Sequence, residues 1–65
     1  MKAVDKAWML ISISKKGNIT IELSSPYKQD LEPWVTKATE RIVEWYITAD
    51  KAEYLIIDGK HVRIA

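Results

Sequence analysis

Sixty-five residues carry ten lysines and arginines against nine acidic residues, a net charge of +1, and no cysteine. This excludes disulfide staples and a thiolate zinc site, and near-neutrality gives no strong field to steer the chain toward nucleic acid or an anionic membrane. A single domain of this length buries only about 60% of the surface its unfolded chain exposes, so stability must come from tight packing or from association with another chain.

The chain is expected to form one small α+β domain over residues 1–65, with 1–6 as a partly ordered lead-in. Met1 to Asp5 holds one lysine and no long apolar run, so neither a secretory leader nor a membrane span is expected there. Ala7 to Ser14, AWMLISIS, and Asn18 to Ser24, NITIELS, read as strands from their β-formers and, in the second, from clean alternation. A three-residue loop, Lys15-Lys16-Gly17, with Gly17 left-handed, joins them in a register that pairs Ile13 with Ile19, Ile11 with Ile21 and Met9 with Leu23. A two-residue loop would split the apolar set between faces.

Ser24-Ser25-Pro26-Tyr27 ends the second strand, because Pro26 donates nothing to a ladder and disfavours helix at Ser25. From Asp30 to Ala49 the residues Leu31, Trp34, Val35, Ala38, Ile42, Trp45, Tyr46 and Ala49 recur at spacings of three and four, which predicts an α-helix. Asp30 is its expected N-cap, with Pro33 in the first turn, where a missing N–H does no harm. Lys37, Glu40, Arg41 and Glu44 would form the solvated side. Val43 and Ile47 lie beside the main apolar stripe. Their expected cover is the sheet rim or residues 1–6, the alternative being a second chain docked on them as a homodimer.

Asp58-Gly59, between Glu53–Ile57 and Lys60–Ile64, is the strongest hairpin signal in the chain. It pairs Ile57 with Lys60, Ile56 with His61, Leu55 with Val62 and Tyr54 with Arg63. The expected fold is therefore ββαββ: a four-stranded, mainly antiparallel sheet of order 2-1-3-4, with one helix packed on one face. A β-grasp-like order, 2-1-4-3, is the alternative.

No catalytic constellation is present. His61 is the only histidine, its expected cross-strand partner is Ile56, and no carboxylate pair is brought together in a cleft. Gly17 and Gly59 are isolated, outside any phosphate-cradling motif. The chain is read as non-enzymatic, with no metal, no cofactor and no small-molecule substrate, because one helix on one sheet encloses little room.

One constellation does emerge from the registers. If Met9, Ile11 and Ile13 face the helix, Trp8 and Leu10 face away, as do Tyr54, Ile56, His61 and Arg63. Trp, Tyr and Arg are over-represented at binding hot spots, and contiguous apolar patches on monomers usually have a use. The expected function is a small cytoplasmic protein-interaction module or inhibitor that binds a larger protein, or itself, through this open sheet face. The alternative is single-stranded nucleic acid, with bases stacked on Trp8, Tyr54 and His61 and phosphates met by Arg63, Lys60 and Lys15-Lys16.

Overall fold

A computed structural model describes residues 3–65; Met1 and Lys2 lie outside the described residues. The first hairpin joins β1 (Ala3–Ile13) to β2 (Ile19–Ser25). Gly17 adopts φ +86°, and its N–H donates to the Ser14 carbonyl at 2.9 Å, closing the three-residue loop. Ile13 pairs with Ile19 and Ile11 with Ile21, as the loop length requires. The next pair departs from expectation: Leu10, and not Met9, stands opposite Leu23. One step along β1 corresponds there to two along β2, so Glu22 is the extra residue of a bulge. Leu23 is thereby turned to the opposite face from Ile21. Ala3 to Lys6, expected within the lead-in, are part of β1, and Ala3, Asp5 and Lys6 pair with β3.

The long helix expected over 30–49 does not form. In its place stand a single helical turn, α1 (Lys28–Leu31), a 3-10 turn (Glu32–Trp34) and, after an irregular link, a nine-residue strand, β3 (Glu40–Thr48). Asp30 is not an N-cap; it sits inside α1, where its Oδ2 accepts the Ser25 hydroxyl at 2.9 Å. Pro33 falls in the 3-10 turn, and the chain is extended by Val35.

Why the second half is a strand is readable in ERIVEWYIT. Isoleucine, valine, threonine, tryptophan and tyrosine all fit a pleated surface. Apolar residues on both sides are normal for a strand in the middle of a sheet, and such a run has helical spacings by chance. The turn before β3 is held by Glu40, whose Oε1 accepts the N–H groups of Thr36 and Lys37 at 3.0 and 2.9 Å. The Thr36 N–H, more than any other contact, holds the Glu40 carboxyl below its ordinary range.

β4 (Glu53–Ile57) and β5 (Lys60–Arg63) form the second hairpin. Asp58 at φ +52° and Gly59 at φ +78° make the two-residue turn, and all four expected pairs are present. Between β3 and β4, buried Thr48 donates its hydroxyl to Asp50 and also lies 3.3 Å from the Ala52 carbonyl, while Lys51 takes φ +67°. The Thr48 hydroxyl is the main reason that the Asp50 carboxyl is held below its usual range.

The result is a five-stranded antiparallel sheet of order β2-β1-β3-β4-β5, with one short helix. The two hairpins keep the order expected of them, and the residues expected as helix supply a fifth strand between them. The β-grasp-like order is not adopted.

The core lies on one face, around Ile11, Val43 and Leu55 from β1, β3 and β4. Ile19 from the β2 edge and Ile64 after the β5 edge pack against this same small cluster. Trp45 joins the cluster and donates its indole N–H to Glu53 Oε1 at 3.1 Å, so the ring is packed without an orphaned donor. On the opposite face α1 lies against β1 and β2, where Leu10 and Leu31 are both buried. That covers only one end of the face.

Candidate partner-binding face

Cross-strand registers sort the uncovered face into rows. Ser25, Trp8, Glu44, Ile56 and His61 stand side by side across all five strands. Lys6, Tyr46, Tyr54 and Arg63 form the next row, across β1, β3, β4 and β5. A third row, Leu23, Leu10 and Ile42, lies on the α1 side. The first two rows are where chemistry is exposed.

Their side chains are locked to one another. Tyr46 and Tyr54 are directly opposite and stack, with ring centroids 5.1 Å apart and planes 15° from parallel. The Tyr46 hydroxyl lies 2.7 Å from His61 Nδ1, and the two rings meet edge-on at 5.6 Å. Lys28, reaching from α1, sets its Nζ 5.4 Å from the centre of the Trp8 ring. Between these groups opens a half-enclosed cavity of about 540 Å³, with Trp8, Glu44, Tyr46, Ile56 and His61 in its lining and Lys6 at its side. Its size is that of an ordinary ligand pocket, more room than one helix on one sheet would enclose.

Of the residues singled out from the sequence, Trp8, Ile56 and His61 meet at this cavity. Tyr54 backs it by stacking on Tyr46, and Arg63 ends the second row, its Nε donating to the Ala65 carbonyl at 3.1 Å. Leu10 is a correction. At 1% exposure it offers no surface to a partner, because the end of the face it occupies is the end that α1 covers. Val43, considered as a homodimer contact, is part of the core at 5% exposure, and Ile47 is half-buried on the same side of β3.

Sequence reasoning misses Glu44 and Tyr46, because a helical assignment scatters them around a cylinder. Taken with a period of two, the same stretch puts Ile42, Glu44 and Tyr46 on one side. Lys28 carries no sequence signal for its place over Trp8. Among the described residues no three histidine, cysteine or acidic side chains are grouped to hold a metal ion, and no helix is long and apolar enough to cross a membrane. Compared with known proteins, the chain matches no family model, no curated protein and no solved structure.

Proposed function

We propose that this chain is a small non-enzymatic interaction protein that binds a larger protein, or a second copy of itself, through the uncovered sheet face. The observation that carries the reading is the half-enclosed cavity walled by aromatic side chains already held in place. Pre-ordered rings lose little freedom when a partner docks, so more of the contact energy is kept as affinity. Trp8, Tyr46 and Ile56 act as apolar anchors, and His61 and Arg63 orient the partner. The mechanism is occlusion or tethering. A cytoplasmic site of action accords with a chain that uses no cysteine.

The test is solution mass across concentration, for the wild type and Trp8→Ala, followed by affinity for whichever partner is found. Loss of an anchor at a hot spot is worth about 2 kcal/mol or more, roughly thirtyfold in affinity. Association that is unchanged in Trp8→Ala, with the fold intact, would refute the reading.

One observation favours a second reading, single-stranded nucleic acid. The Tyr46/Tyr54 stack has Lys6 beyond one ring and Arg63 beyond the other, in a single row. Bases stack on such rings while flanking cations meet phosphates. An oligothymidylate titration decides it: binding must weaken steeply from about 50 to 200 mM salt, and salt-independent binding counts against it.

A further inference from the structure

We propose that the cavity receives an arginine side chain presented by the protein partner, with its guanidinium against Glu44 and flat on the surrounding rings. This deepens the open-face reading and rests on it. Glu44 is on β3, in the middle of the sheet, with Trp8 beside it on β1, Ile56 beside it on β4 and Tyr46 two residues along the same strand. Its carboxylate is exposed, and it takes part in no ion pair or side-chain hydrogen bond among the described residues, where the only ion pair is Arg41–Asp58. An uncommitted carboxylate among aromatic faces is complementary to a flat cation, which it can meet with two parallel hydrogen bonds.

The molecule itself gives an independent sign. Lys28 already places an ammonium over the half-buried Trp8 ring, with no carboxylate bonded to it, so this ring draws a cation by its own electrostatics. Two basic side chains are in the lining as well, Lys6 and His61. Lys6 is exposed on a flexible stem and can swing into water, and His61 is engaged by the Tyr46 hydroxyl. Neither occupies Glu44. Arginine fits better than lysine because its guanidinium both stacks and forks, whereas an ammonium does only the work of a point charge.

The test uses the full chain and three capped tripeptides, acetyl-Gly-Xaa-Gly-amide, in which Xaa is arginine, citrulline or tryptophan. Citrulline keeps the shape of arginine without its charge. Chemical shifts of the Trp8 indole and of residues 44, 46 and 56 are followed by NMR, in the wild type and in Glu44→Gln, whose exposed site leaves the fold intact as judged by its amide spectrum.

The arginine peptide should move these signals saturably and bind at least tenfold more tightly than the citrulline peptide, and Glu44→Gln should bring the two together. Equal binding of arginine and citrulline, or arginine binding that Glu44→Gln leaves unchanged, overturns the inference. If only the tryptophan peptide or an oligothymidylate moves the same residues, the face is a binding surface and the guanidinium assignment alone fails. If no probe moves them, the open-face reading falls with it.

Discussion

The two faces of this sheet are built by alternate residues of the same strands, yet they end in opposite states. Leu55 is fully buried in the core cluster, while its neighbour Ile56 borders the open cavity. Trp45 has its indole N–H satisfied beside the core by Glu53, while Trp8, across the sheet, lies beneath a lysine that reaches over from α1. One face gathers its apolar side chains around Ile11, Val43 and Leu55, while the other is covered only at its α1 end. The one helical turn lies on the second face and covers only its β1–β2 end, so the rest of that face stays open.

Substitutions at neighbouring positions should separate the two faces. The largest effect is expected for Leu55→Ala, which removes a fully buried side chain and should lower unfolding free energy by about 2–5 kcal/mol in urea titrations. That is a large share of what so small a domain has. Ile56→Ala, one residue on, should cost less than about 1.5 kcal/mol in the same titration and act on binding instead. Equal losses at 55 and 56 would mean that the second face is as closed as the first.

Next in size is Tyr46→Phe, which deletes the hydroxyl beside His61 and keeps the ring stack. A loss of about 0.5–1.5 kcal/mol is expected, measured by the same denaturant method. Trp8 should then show greater ring mobility in NMR relaxation only if the wall of the cavity depends on that bond.

Smaller still is Lys51→Gly. A lysine at φ +67° is strained, so glycine there should stabilise the β3–β4 turn by about 0.5–1 kcal/mol. No change in binding should accompany it, since Lys51 lies outside both exposed rows.

Acid should act on the same framework with a definite sign. The carboxyls of Glu40 and Asp50 are held below their ordinary values of 4.5 and 3.8 by hydrogen bonds from Thr36 and Thr48. A group whose folded pKa is depressed binds fewer protons folded than unfolded, so its contribution is present above the ordinary value and is lost as pH falls through the lowered one. Thermal midpoints should therefore fall below about pH 4.5, and Glu40→Gln should show a shallower fall than the wild type. An identical acid limb in Glu40→Gln would remove the turn before β3 from the set of acid-sensitive sites.

Both hairpins are legible in the sequence because their information is local. Asp58-Gly59 specifies a two-residue turn by backbone geometry alone, and four cross-strand pairs follow from it. Lys15-Lys16-Gly17 does the same for three pairs, Ile13 with Ile19, Ser12 with Thr20 and Ile11 with Ile21, until the Glu22 bulge shifts the next; nothing in NITIELS marks that bulge. Much of the open face comes with the hairpins, since a register decides which residues share a side: the second turn sets Ile56 beside His61, while Trp8 meets them only across β3. Glu44 and Tyr46 escape the same logic, because their strand carries helical spacing.

What the amino-acid sequence determines unaided, then, is whatever a few consecutive residues can settle: two turns, the registers next to them, the break at Pro26 and the alternation of faces as far as the Glu22 bulge. What only the tertiary structure decides is the state of residues 40–48. Ile42, Val43, Trp45, Tyr46 and Ile47 satisfy helical and extended spacings alike, so local preference is nearly balanced there. The balance is tipped by β1 and β4, which offer backbone partners on both sides and bury Val43. As a strand, this stretch joins the two hairpins into one ladder and carries Glu44 and Tyr46 to the middle of the open face.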